Sequence, residues 1–127
     1  MKYLILFCFT LLVTNCDAQT SPVNVVKEYL SAIDSFDYVK AKKLLILNDN
    51  NLKSLQNIKK ASDSMTPSKR AKYLSNKKVY HFKEEKVSAE TAKIIATNNQ
   101  GDFTVAIVFN LKKVGNKWLI NDYTSDI

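Results

Sequence analysis

The chain has 127 residues, 46% of them hydrophobic, and a formal net charge of +7 from 19 Lys and Arg against 12 Asp and Glu. Its length and its low Gly, Pro and Cys content exclude a multi-domain enzyme, a disordered chain and a disulfide-rich scaffold. Hydrophobic residues form one long run only, at the N-terminus, which excludes a polytopic membrane protein.

The N-terminal segment is predicted to be an export leader. Lys2 precedes an apolar run from Tyr3 to Val13. The run is too short to span a bilayer, and it matches the hydrophobic region of a secretory signal. We therefore expect the rest of the chain to be exported, to the periplasm or outside the cell.

Two cleavage positions stay open for this leader. Residues 13–16 resemble a lipobox, in which Cys16 is lipidated and becomes the new N-terminus, although Asn15 stands where a small residue is usual. The alternative is cleavage after Ala18. Lipidation of Cys16 would anchor the protein to a membrane, whereas the second cut would release it. We assign residues 1–18 to the leader and residues 19–127 to a single domain.

The first half of this domain is predicted to be helical. Ser21-Pro22 and Thr66-Pro67 each pair an N-cap residue with a proline at the first helical position. Apolar residues at steps of three and four predict a first helix from about Pro22 to Ile33, and Asp37 can cap a second.

Two further helical segments are predicted after a polar break at residues 48–51. The first contains Leu52, Leu55 and Ile58 at steps of three, and the second is short, from Pro67 to Leu74. The helices of this chain are therefore expected to precede its strands.

From Lys78 the apolar period changes to two, which is typical of strands. Four strands are predicted, with turns at Gly101 and Gly115, and the third is expected to be central because its middle is apolar on both faces. Their approximate ranges are 78–84, 90–97, 103–111 and 118–123. The predicted fold class is α+β, with N-terminal helices packed on a four-stranded antiparallel sheet.

Two parts of the sequence resemble the nuclear-transport-factor-2-like superfamily. Residues 25–33 and 37–45 look like its paired opening helices, and residues 113–120 look like its closing hairpin, a Gly-x-Lys-Trp turn before an apolar strand. The most similar branch is that of small exported bacterial domains, often lipoproteins, of unknown function or described as lumazine-binding-like. Ser35-Phe36 departs from the pattern, because relatives usually have a glycine there, and a looser turn is expected.

The resemblance implies a curved sheet wrapped round the helices, a cone of the cystatin and nuclear-transport-factor-2-like kind. Relatives use the open end of the cone as an enzyme site, as a ligand site or only as packed core, and a fold alone does not choose among these uses. The resemblance also implies a homodimer formed through the exposed face of the sheet.

His81, the only histidine, is the one candidate for a general base near neutral pH. Enzymatic relatives pair a histidine or tyrosine with a buried aspartate inside the cone. Strand alternation places His81 opposite Tyr80 and Phe82, so it faces solvent if they face the helices. No metal or other cofactor is expected, because one histidine without a domain cysteine leaves only oxygen ligands.

Seven aromatic residues are candidates for lining a pocket that holds a flat apolar ligand. The alternative is that they form the core, since a domain of this size needs most of its large side chains for packing. The candidates are Tyr29, Phe36, Tyr38, Tyr80, Phe82, Phe109 and Trp118.

Basic residues are concentrated between residues 53 and 83, where nine cations stand against Asp63 alone. Such a cluster can attract an anionic envelope surface or another polyanion. Specific nucleic-acid recognition is not expected, because Arg70 is the only arginine. The candidate polyanion residues are Lys59, Lys60, Lys69, Arg70, Lys77 and Lys78.

These observations predict an exported, non-catalytic binding or scaffold module of the bacterial cell envelope. Its expected partner is a small apolar ligand in the cone or an envelope protein. Two alternatives remain at this point. One is a small-molecule enzyme that uses the cone with His81 as base, and the other is a polyanion-binding surface at residues 53–83.

Overall fold

The computed structural model describes residues 21–76, 78–100 and 103–126, so the leader with Cys16, Lys77 and the predicted turn at Gly101 lie outside the described residues. Within them, four helices precede a four-stranded antiparallel sheet of order β1-β2-β3-β4, which confirms the α+β prediction and the central position of the third strand. The helices are α1 (Pro22–Asp34), α2 (Tyr38–Lys43), α3 (Asp49–Asp63) and α4 (Pro67–Ser75). The strands are β1 (Tyr80–Val87), β2 (Thr91–Gln100), β3 (Phe103–Val114) and β4 (Lys117–Asp126).

Three helices begin at the caps that the sequence predicts. Ser21, Asp37 and Thr66 each accept a hydrogen bond from the backbone N–H three residues later, at 3.2, 3.1 and 3.2 Å respectively. Pro22 and Pro67 follow two of these caps, where a missing N–H costs no helical hydrogen bond.

The predicted polar break at residues 48–51 is wrong, because these residues start α3. Asn48 is the N-cap of that helix and accepts a hydrogen bond from the backbone N–H of Asn51 at 2.9 Å. Asn51 itself is buried. Its side-chain amide donates to the backbone oxygens of Ile46, Ile120 and Asn121 at 2.8, 3.2 and 2.9 Å. The hydrogen bonds of Asn51 therefore connect the start of α3 to β4.

A β-bulge in β4 sets which of its side chains reach the core. Leu111 pairs with Ile120 and Asn110 pairs with Asp122, so Asn121 is the extra residue. The extra residue reverses the alternation, and Tyr123 points to the same face as Ile120. The strand also extends beyond Tyr123, its predicted end, as far as Asp126.

The core lies between α1 and the inner face of the sheet. Its largest buried side chains include Tyr29 of α1 and Phe109 of β3, whose ring centroids are 6.0 Å apart. The Tyr29 hydroxyl donates to the Tyr123 hydroxyl at 2.9 Å, and the latter lies 2.7 Å from the Ser54 hydroxyl of α3. Burial, with smaller contributions from Tyr123, raises the pKa of Tyr29 above its ordinary value.

The turn between α1 and α2 is tight, so the expected loosening at Ser35-Phe36 is wrong. The backbone N–H groups of Phe36 and Asp37 donate to the oxygens of Ile33 and Ala32 at 3.2 and 2.8 Å, a Schellman motif. Phe36 has a φ of 61°, the left-handed conformation that glycine adopts freely and that costs a side chain about 1–2 kcal/mol. Its ring packs under the Arg70 guanidinium, 4.5 Å from the ring centroid, a contact that offsets part of this cost.

The β3–β4 hairpin has the glycine turn that the sequence predicts. Gly115 takes a φ of 62° at the first position of a two-residue connection, where a side chain would be strained. Among the described residues, no helix is long and apolar enough to cross a membrane.

Candidate functional site

An open cleft of ≈ 540 Å³ lies between α1, the end of α4 and the start of β1. Its apolar lining comes from all three elements: Leu30 of α1, Leu74 of α4, Phe82 of β1, and Val79 just before β1. Leu74 and Val79 are 50% and 68% exposed, so the lip of the cleft presents apolar surface to solvent. Concave apolar surface of this size is typical of small-molecule sites.

Three polar side chains, Asp34, Tyr73 and Lys78, contact one another at one end of this cleft. The Tyr73 hydroxyl donates to Asp34 Oδ1 at 3.0 Å and accepts a hydrogen bond from Lys78 Nζ at 2.9 Å. Lys78 Nζ also lies 3.7 Å from Asp34 Oδ1. The three side chains therefore form one network, which links the end of α1 to α4 and to the residues before β1.

Two tyrosines that line the cleft, Tyr73 and Tyr80, have raised pKa values. Burial is the main cause that raises the pKa of Tyr80, and the neighbouring carboxylate of Asp34 adds to the rise. Burial also raises the pKa of Tyr73, although Lys78 partly opposes the shift. An ordinary tyrosine is already protonated near neutral pH, so these shifts leave both hydroxyls able to donate hydrogen bonds.

Helical and strand periodicity explain why these residues meet. Lys27, Leu30 and Asp34 recur at steps of three and four and so share one side of α1. Tyr80 and Phe82 are two residues apart on β1 and so share the inner face of the sheet. The cleft forms where this side of α1 continues past the edge of the sheet.

Asp34 occupies an unfavourable position for a carboxylate. It is the last residue of α1, whose final turn contains no basic residue. The helix dipole disfavours negative charge at that end. Lys78 and the Tyr73 hydroxyl provide partners from outside the helix, 3.7 and 3.0 Å from Asp34 Oδ1.

Two of the seven aromatic candidates, Tyr80 and Phe82, line the cleft. Tyr29, Phe109 and Trp118 are buried in the core, because their strands and helix direct them to the face where α1 packs. Tyr38 packs against the core and donates to the Ser62 hydroxyl at 2.6 Å, and Phe36 lies beneath Arg70.

His81 is exposed and lies on the sheet face opposite Tyr80 and Phe82. It borders a neighbouring depression of ≈ 450 Å³ together with Tyr73 and Asn98. Among the described residues, its imidazole makes no hydrogen bond to a carboxylate or a tyrosine, and no carboxylate lines that depression. The enzyme hypothesis needs such a partner for His81 inside the cone, and the described residues do not provide one.

Two of the candidate polyanion residues, Arg70 and Lys78, contact other side chains of the protein. Arg70 donates to the backbone oxygen of Ser62 at 3.0 Å, lies 3.8 Å from Asp63 and covers Phe36. Lys78 belongs to the cleft cluster. Lys59 and Lys60 of α3 and Lys69 of α4 are exposed, and Lys77 is outside the described residues.

Sequence reasoning missed Asp34, Tyr73 and Lys27 as members of a site. The spacing of Lys27 and Asp34 along α1 was a usable signal, because it puts both on one side of the helix. The short α4 was a second signal, since Tyr73 and Leu74 are almost its only apolar residues and both line the cleft.

The described residues contain no group of three or more His, Cys, Asp or Glu side chains placed to hold a metal ion. A scan against protein-family models and a search of curated proteins gave no match for this chain.

Proposed function

We propose that this protein is an exported, non-catalytic binding module of the bacterial cell envelope that holds a small apolar ligand. The observation that carries the proposal is the open cleft of ≈ 540 Å³. Apolar walls supply binding free energy in proportion to the area that a ligand removes from water. A small number of polar groups at defined positions are what orient a small ligand in such a site.

The non-catalytic part of the proposal is supported by the location of His81. This side chain is exposed on the sheet face opposite Tyr80 and Phe82 and does not line the cleft. Three titratable side chains that line the cleft, Asp34, Tyr73 and Lys78, are hydrogen-bonded or ion-paired with one another. Their contacts suit a group that orients a ligand by hydrogen bonding.

A fluorescent apolar probe tests the binding function. N-phenyl-1-naphthylamine, which is neutral, is expected to bind the purified protein with enhanced emission. Phe82→Ala is expected to weaken its affinity about tenfold, because the cleft loses a large apolar contact. Phe103→Ala is the matched control, since Phe103 is 71% exposed and does not line the cleft.

A second cleft variant keeps the test valid if Phe82→Ala misfolds. Leu74 is half exposed at the lip, so Leu74→Asp is expected to preserve the fold and still weaken probe binding. Equal affinity in the unmodified protein, both cleft variants and the Phe103→Ala control would contradict a binding function for this cleft.

Export and anchoring are tested by the intact mass of the protein isolated from cells. A chain that starts at a lipid-modified Cys16 is an anchored envelope protein, and one that starts at an unmodified Gln19 is a released one. Cys16→Ser is expected to abolish the lipidated form only. A mature protein that retains residues 1–15 would contradict export.

A further inference from the structure

Three charged side chains line the cleft, and two of them are cationic. Lys27 and Lys78 contribute ammonium groups, and Asp34 contributes a carboxylate. Lys78 already has two partners, because its Nζ lies 2.9 Å from the Tyr73 hydroxyl and 3.7 Å from Asp34 Oδ1. Lys27 forms no ion pair with any residue that the structure describes. Its ammonium group is therefore the charge that the cleft leaves available to a ligand.

Lys27 is placed to meet a ligand that packs on Phe82. Its Nζ lies 5.4 Å from the centroid of the Phe82 ring, and both residues line the cleft. Lys27 and Asp34 are seven positions apart on α1, which separates them by about 10 Å along the helix axis. The cleft therefore has a cationic end at Lys27, apolar wall at Leu30 and Phe82, and a hydrogen-bonded end at Asp34.

We infer that the ligand is an amphipathic monocarboxylate, an acid with an aliphatic or aromatic body, whose carboxylate pairs with Lys27. The inference rests on the proposed binding function and specifies the ligand for the same cleft. One negative charge neutralises the cleft, because its lining carries two ammonium groups and one carboxylate. The ligand's body covers the partly buried Phe82, and this apolar cover also strengthens the ion pair by excluding water from it.

Displacement of the neutral probe by two competitors of equal chain length tests this inference. Decanoate and 1-decanol share the same apolar chain length and differ in charge. A cleft without a usable cation favours the alcohol, because a carboxylate costs more to remove from water. The unmodified protein is expected to prefer decanoate at low ionic strength, and added salt is expected to reduce the preference.

Lys27→Met is the decisive variant, because it keeps most of the apolar stem over Phe82 and removes the ammonium group. This variant is expected to weaken the binding of decanoate about fivefold, the effect of a partly exposed ion pair, and to leave the binding of 1-decanol unchanged. Lys27→Arg should retain the preference for decanoate. Lys42→Met is the matched control, since it removes the same charge from an exposed residue of α2 outside the cleft.

The outcomes separate this inference from the function on which it rests. Loss of the decanoate preference in Lys27→Met, with Lys42→Met unaffected, supports it. Equal displacement by both competitors, or a preference that survives Lys27→Met, overturns the monocarboxylate and leaves the apolar site intact. Failure of the probe and of both competitors to bind removes the proposed function, and the inference with it.

Discussion

Replacing Phe109 with alanine is expected to lower the free energy of unfolding by about 4 kcal/mol, the largest effect of any substitution considered for this protein. Phe109 is fully buried, and its ring centroid lies 6.0 Å from that of Tyr29 and 5.4 Å from that of Tyr123. Removal of the ring loses its transfer free energy and leaves a cavity between α1 and the sheet, which the neighbouring elements fill only in part. Urea unfolding monitored by circular dichroism measures the change.

Phe103→Ala is the matched control for this experiment. It makes the same substitution on the same strand, but Phe103 is 71% exposed. Its effect is expected to stay within about 0.5 kcal/mol, as for most surface substitutions. Equal costs for the two variants would show that the inner face of β3 is not the core. The comparison also tests the view that Phe109 is a packing residue and not part of a ligand pocket.

Asn51→Ala is expected to lower the free energy of unfolding by about 2–3 kcal/mol. The buried Asn51 amide donates to three backbone oxygens, those of Ile46, Ile120 and Asn121. Each hydrogen bond contributes about 1 kcal/mol, and the variant leaves buried acceptors with one donor fewer. The same unfolding measurement determines the loss.

Asn50→Ala isolates the effect of these hydrogen bonds. Asn50 is the preceding residue in the first turn of α3 and is exposed, so the two variants share the change in helix propensity. A neutral or slightly stabilising result is expected for it. If Asn51→Ala also left the free energy of unfolding unchanged, the attachment of α3 to the bulge in β4 would not contribute to stability.

The order of the elements could be predicted because it depends on local physics. Proline after a capping residue favours the start of a helix, and both Ser21-Pro22 and Thr66-Pro67 start one. Alternation of apolar residues from Tyr80 onward indicated strands, and the glycine turn at residue 115 joined the last two. These signals need no knowledge of distant residues.

The errors occurred where a distant residue decides the local structure. Residues 48–51 are polar and gave the pattern of a loop, yet Asn51 is buried and donates to the backbone oxygen of the distant bulge residue Asn121. The same bulge turns Tyr123 inward, which a strict alternation does not allow. Phe36 adopts a glycine-like conformation, and Arg70, 34 positions later, supplies the contact that offsets part of its cost.

The candidate site was only partly predictable for a similar reason. Tyr80 and Phe82 were among the predicted aromatic candidates, but aromatic composition alone does not distinguish a cleft wall from a core. Asp34 and Tyr73 are 39 positions apart and meet only because the end of α4 lies next to the end of α1. No local sequence pattern indicates that two such distant residues are in contact.

The sequence by itself determined the α+β class, the starts of α1, α2 and α4 and the alternation of apolar residues along β1 and β3, because caps, prolines and apolar periods act within a few residues. The tertiary structure alone decided that Phe109 is core while Phe82 borders solvent, and that Lys27 is left without an ion pair among the described residues while Lys78 is paired. Burial and charge pairing depend on which surfaces pack together, and that is a property of the assembled helices and sheet.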